Sequence, residues 1–288
     1  MFFATYKSTC KTLVRSKTFW LSLFVVIVYC VYDVVFVNHY GYFDMVEHEM
    51  IYDTDPRFIL EYSQFVKQAI NSAEMLLRLS MSIFFVITTV LALNRDYGDR
   101  FFEIEKAAGV KPSCYLFGRL TALISINFGL LLLVHTITFQ WYVLSRGGVA
   151  GMAFWDYAWE GLVRTARIDL LMGLPCVVFF VGLTYMIGSL FKNGLPAAIM
   201  GMAYGIFCML VGKLYTAGAF VTFFQDYLRP EPMKMFWYLY YYDTEWFEDA
   251  LNTMQTSAGR AFFSVGILVG VAAVCSVLSY FRLRRREV

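Results

Sequence analysis

Six stretches of this chain, residues 19–37, 76–93, 120–144, 170–191, 197–215 and 261–281, are each apolar over about 18 residues or more, the length a helix needs to cross a bilayer core. A lipid environment offers no hydrogen bonds to an open backbone, so the runs predict an all-α integral membrane fold with six transmembrane helices. The composition agrees, with 59% hydrophobic residues against only 16% charged. Residues 1–288 read as a single membrane domain, and no internal repeat is visible.

The loops set the expected orientation, because cytosolic flanks collect Lys and Arg. With both termini in the cytosol, that side holds Lys7, Lys11, Arg15, Lys17, Arg95, Arg100, Lys106, Lys111, Arg119, Lys192 and the Arg282–Arg286 cluster. The opposite side holds most of the acids, among them Asp44, Glu47, Asp53, Glu231, Asp243 and Glu248. The net charge of +2 therefore conceals a strong asymmetry across the membrane. None of the six cysteines falls in an external loop, which speaks against a disulfide framework.

Residues 2–15 read as an amphipathic interfacial helix, with Phe2, Phe3, Tyr6, Cys10, Leu13 and Val14 on one side and Lys7, Lys11 and Arg15 on the other. The alternative is a short basic tail that only sets topology. The external segment 38–73 is acidic and partly helical toward its end, and 145–169 carries the aromatic residues of a headgroup belt. Segment 216–260 is rich in aromatics, broken by Pro230 and Pro232. It reads as an external helical hairpin before the last span, with Phe223, Phe224, Tyr227, Trp237, Tyr241 and Trp246 either gating an exit or forming an aromatic belt.

Between the second and third runs lies a charged connector, residues 94–119. It holds a short helix candidate, 101–108, ended by Gly109 and by Pro112 shortly after. Its basic content places it in the cytosol, where it would offer a docking element to a soluble partner.

Several chemistries find no motif. The segment Gly212-Lys213-Leu214 lacks the spacing and hydroxyl of a phosphate-binding loop. His48-Glu49 is followed by Tyr52 where a zincin needs its second His, and His39, Asp44, Glu47 and His48 read as a solvated acidic loop or a loose cation site. His135 stands alone among leucines as a packing residue or a relay, and no Ser-His-Asp or Cys-His arrangement can be assembled. Nothing points to nucleic acid.

The amphipathic first helix, the six spans, the cytosolic loop after the second and the external segment before the sixth together resemble the ABC-2 type transporter permease subunits. The most specific stretch runs from Phe102-Glu103-Ile104-Glu105-Lys106-Ala107-Ala108-Gly109-Val110-Lys111-Pro112-Ser113 to Gly118-Arg119, a pair that in the family opens the third span. The resemblance implies a coupling helix that docks on a separate ABC ATPase subunit, with Phe102 to Val110 as the coupling segment. Glu103, Ile104, Glu105 and Lys106 would face the ATPase, while Ala107 and Ala108 permit close approach and Gly109 ends the helix. It also implies an exporter of an amphiphilic, peptide or drug-like substrate in a bacterial cytoplasmic membrane, paired with a second permease copy or a paralogue. The chain itself would hold no cofactor and would not be an enzyme, since ATP and Mg belong to the partner. Two other readings remain open: an ATP-independent secondary transporter or channel acting through Asp33 or Lys213, and a membrane sensor or scaffold.

Overall fold

The computed structural model describes residues 2–32, 41–44, 49–52, 81–98, 101–191, 194–211 and 247–285, together with Leu60, Tyr62, Phe65, Gln68, Ala69, Ser72, Ala73, Leu76 and Leu77. Helices dominate: α1 (Phe2–Arg15), α2 (Lys17–Tyr32), α3 (Met81–Gly98), α4 (Phe101–Ala107), α5 (Pro112–Ser145), α6 (Phe154–Ile168), α7 (Leu174–Phe191), α8 (Gly194–Val211) and α9 (Phe247–Arg284). A π-helical turn, Asp169–Gly173, joins α6 to α7.

Three helical segments are long and apolar enough to cross a membrane: Pro112–Ser145, Leu174–Phe191 and Val265–Arg284. A fourth span results if α1 and α2, bent by 66° at Ser16, are taken as one. This is fewer than the six expected. The described helix of run 76–93, Met81–Gly98, covers only the later part of that run. The helix extends through Asn94, Arg95 and Asp96 to Gly98, and these polar residues lower its hydropathy. The described apolar part of α8, Gly194–Ala203, is shorter than a span. The last run is the end of the 38-residue α9, which begins inside the expected external segment. The gate candidates Phe223, Phe224, Tyr227, Trp237, Tyr241 and Trp246 lie outside the described residues, as do Asp33 and Lys213.

One element was not foreseen. Residues Gly41–Asp44 (β1) and Glu49–Tyr52 (β2) pair antiparallel, with Gly41 opposite Tyr52 and Asp44 opposite Glu49. Further on, the Ala150 N–H donates to the Leu60 carbonyl at 2.9 Å, and the Phe65 ring packs on Phe139 at 5.1 Å.

The core sits around α7, which packs against α3, α5, α8 and α9. Small residues allow the close approach: a Cβ on Gly182 would stand 3.2 Å from the Cβ of Ala272 in α9, and one on Gly188 would collide with Leu93 of α3. α5 is a second long rod that the core touches. Lys111 is extended and Pro112 takes the first helical position, where its missing N–H is harmless, so the helix starts there and runs for 34 residues. At 1.5 Å per residue it is about 51 Å long, well beyond a hydrocarbon core of about 30 Å.

Pro175 explains the π turn. It has no N–H for the carbonyl four residues back, and the Leu174 N–H instead reaches five residues back to the Asp169 carbonyl. The widened turn rotates the Asp169 side chain into the bundle, where it is fully buried.

Candidate functional site

The connector between α3 and α5 is ordered by a complete helix stop. Gly109 adopts φ +82°, its N–H bonds the Lys106 carbonyl at 2.9 Å, and the Val110 N–H bonds the Glu105 carbonyl at 3.0 Å. This is the Schellman pattern, in which a left-handed residue past the helix end lets two amides satisfy trailing carbonyls. α4 therefore ends where the sequence places its stop, one residue short of the expected 101–108.

The α4 helix has two faces with different tasks. Phe102 is buried, its ring edge-on to Tyr115 at 4.9 Å. Glu105 turns toward α1, where its Oε2 accepts a hydrogen bond from the Thr5 hydroxyl at 2.6 Å. Glu103, Ile104, Lys106, Ala107, Ala108 and Gly109 are exposed, Ile104 at 59%, and Val110 is half-buried. Of the nine expected coupling residues, Phe102 and Glu105 are thus internal anchors rather than presented groups. At helical spacing the two lie three apart, on the side facing α5 and α1.

Behind this helix lies a buried ion pair. Arg119 of α5 and Asp96 of α3 are joined through Nη2 and Oδ1, with Arg119 wholly inaccessible and Asp96 nearly so. The guanidinium also donates through Nη1 to the Thr9 hydroxyl oxygen at 2.9 Å, and Thr9 passes its own hydrogen to the Thr5 carbonyl at 2.8 Å. The second Asp96 oxygen accepts from the Tyr185 hydroxyl of α7 at 3.2 Å. The ring of Phe101 lies 4.9 Å from the Arg119 guanidinium and 4.7 Å from that of Arg95. One charged pair thus ties α1, α3, α5 and α7, and α4 joins through Phe101, Phe102 and Glu105.

Both charges are buried, whereas the sequence reading counted Arg119 among the cytosolic-side charges and the charged connector 94–119, which also holds Asp96, as a loop. Gly118-Arg119 does not open the helix but lies about two turns inside it, because Pro112 starts α5 early. Gly118 serves as the seat of α1: a Cβ there would approach the Thr5 Cβ at 3.0 Å and the Phe2 carbonyl oxygen at 3.1 Å.

The interfacial helix forms with the expected bounds but a different buried stripe. Thr5, Thr9 and Leu13 face the protein, whereas Phe3 (80%) and Val14 (48%) are exposed. Phe2 and Tyr6 are half-buried, and Lys7, Lys11 and Arg15 point outward. The polar threonines face inward because Arg119 and Glu105 await them there.

A second buried polar group occupies the other half of α5. His135 Nδ1 lies 3.0 Å from Asp169 Oδ1, and Nε2 lies 2.9 Å from Ser72 Oγ and 3.1 Å from the Ala69 carbonyl oxygen. The sequence pointed to no such Ser-His-Asp assembly, since Ser72 and Asp169 stand far from His135 in the chain and lie where loops were expected. A carbonyl and a carboxylate oxygen each only accept, so hydrogen on Nε2 suits Ala69 and hydrogen on Nδ1 suits Asp169, and the tautomer decides whether Nε2 donates to Ser72 or accepts from it. The Ser72 hydroxyl is also within 2.9 Å of the Ala69 carbonyl oxygen, to which it can donate. Asp169 Oδ2 is buried without a hydrogen-bond partner among the described residues. Side chains at the proposed loose cation site, His39, Asp44, Glu47 and His48, lie outside the described residues, and no group of metal-ligating side chains occurs among those described.

No protein-family model matches the chain, and no curated protein does.

Proposed function

We propose that this chain is the membrane subunit of an ATP-driven exporter, whose α4 docks on a cytosolic ABC ATPase that holds ATP and Mg. The observation that carries the reading is the division of α4. An exposed face of Glu103, Ile104, Lys106, Ala107 and Ala108 is held rigidly from behind by Phe102 and Glu105. Force applied to that face reaches α1, α3, α5 and α7 through the Asp96–Arg119 pair, which is what a coupling element requires. A solvent-exposed loop without such anchoring would absorb the motion. In this reading the chain pairs with a second copy or a paralogue and sits in a bacterial cytoplasmic membrane with both termini inside. Its cargo is amphiphilic, peptide-like or drug-like.

The test is affinity purification from the native host of wild type and an Ile104→Asp, Glu103→Arg double variant. The expected result is an ATPase that copurifies with wild type and is lost from the variant at unchanged thermal stability. Absence of any ATPase from wild type would remove the reading.

One observation favours a second reading, ATP-independent ion-coupled transport. His135 and Asp169 are paired at 3.0 Å deep in the bundle, both fully buried, and ionisable residues at such depth commonly serve proton movement. Proteoliposomes under an imposed pH gradient distinguish the two, because uptake lost in Asp169→Asn without any ATPase present supports the second reading alone.

A further inference from the structure

The elbow between α1 and α2 forms an open pocket of about 420 Å³ lined by Ser8, Lys11, Thr12, Arg15, Ser16 and Arg95. Among the described residues its wall carries three cations and three hydroxyls and no carboxylate. The first five residues follow helical spacing along α1 into the bend, and Arg95 flanks the pocket from the end of α3. Among the described residues no acid is paired with Lys11, Arg15 or Arg95. The Arg95 guanidinium is held over the Phe101 ring, a contact that uses its face and not its N–H groups.

The elbow is fixed rather than loose. The Trp20 indole N–H donates to the Val14 carbonyl at 2.6 Å, and the Ser16 N–H donates to the Leu13 carbonyl at 3.0 Å. Thr12 spends its hydrogen on the Ser8 carbonyl at 2.7 Å, so the donors aimed at the pocket come from the three cations, Ser8 and Ser16. Three like charges along one open pocket repel one another, and an anion of tetrahedral oxygens seated among them relieves that repulsion. The surroundings suit a lipid-facing position, since α2 exposes Trp20, Leu21 and Phe24 immediately beyond the bend.

We propose that this pocket binds a phosphate group, either the headgroup phosphate of an anionic lipid or a free phosphate. It goes beyond a basic helix lying on a charged surface. Surface attraction adds over all nearby cations, whereas this site needs Arg95, which belongs to a different helix, and leaves distant cations without influence.

The experiment uses the full chain purified in neutral detergent. Native mass spectrometry counts retained phosphatidylglycerol against phosphatidylcholine, and thermal stability is followed with added phosphatidylglycerol or inorganic phosphate. Wild type is expected to retain a single phosphatidylglycerol. Arg95→Gln and the Lys11→Gln, Arg15→Gln pair are expected to bind it about tenfold more weakly. The Arg282→Gln, Arg284→Gln pair removes equal charge from the end of α9 and is expected to bind as wild type does. Ser8→Glu, which places a carboxylate in the pocket while keeping every cation, is expected to abolish retention and guards against loss through misfolding. Stabilisation by inorganic phosphate assigns the site to the free anion, and stabilisation by the lipid alone assigns it to the headgroup. Equal retention of both lipids by wild type with no phosphate stabilisation would overturn the proposal. So would an Arg95→Gln variant that binds as wild type does, or an α9 pair as impaired as the α1 pair.

Discussion

Arg119 donates from Nη1 to the hydroxyl of Thr9 across 2.9 Å, so the guanidinium that neutralises Asp96 also fastens the first helix of the chain to the bundle. A buried arginine needs its donors satisfied, and here the partners come from two helices on either side of it.

Removing one member of this pair leaves the other charge buried and alone. Asp96→Leu or Arg119→Met is expected to destabilise by about 3–5 kcal/mol, whereas the double change to apolar residues recovers most of that. Thermal unfolding in detergent of the two single variants and the double variant checks it. A double variant no better than the worse single one would show that the residues do not act as a pair.

The two faces of α4 are expected to differ in what they contribute to stability. Phe102→Ala is expected to cost about 3 kcal/mol through the cavity left against Tyr115. Ile104→Ala, on the exposed face, is expected to change stability by less than about 0.5 kcal/mol. The melting temperatures of both variants, measured side by side, decide it, and equal losses would count against the division.

Gly118 has no room for a side chain. Gly118→Val is expected to lift α1 from α5, because the new methyls meet Thr5 and the Phe2 carbonyl. The half-buried thiol of Cys10 then reacts faster with a water-soluble maleimide than in wild type. An unchanged rate would mean that α1 is not seated on that glycine.

Ser72 is expected to resist serine-directed fluorophosphonates, since it is buried in the bundle and its hydroxyl lies within hydrogen-bond distance of the Ala69 carbonyl. Labelling of wild type that disappears in Ser72→Ala would refute this. The same substitution is expected to cost only about 1 kcal/mol, the worth of a single hydrogen bond.

Local signals in the chain were legible where a single residue decides the outcome. Gly109 stops α4, because a left-handed stop depends on that residue alone, whereas Pro112, read only as part of that stop, opens α5 well before the expected residue 120. The interfacial helix was legible in its bounds but not in its buried face, since Thr5 and Thr9 turn inward only for partners at positions 105 and 119. Asp96 and Arg119 read as loop charges because pattern alone cannot tell a solvated ion from one that has found its counterion in the core. Asp169 was hidden for another reason: the π turn imposed by Pro175 aims its side chain inward, and no ordinary helical period predicts that direction.

The uninterrupted length of α5 has a mechanical consequence. Arg119 and His135 stand 16 residues apart on it, about 24 Å along the axis and about 160° around it, so they anchor the rod on nearly opposite sides. A rigid shaft pinned at two heights on opposite sides has little freedom to spin. A turn about its axis that preserves the grip on Asp96 swings His135 away from Asp169, and the reverse holds equally. Any working stroke of the bundle that rotates α5 must therefore release one of its two pins, while a stroke that keeps both must carry α5, α3 and the π turn together as one body.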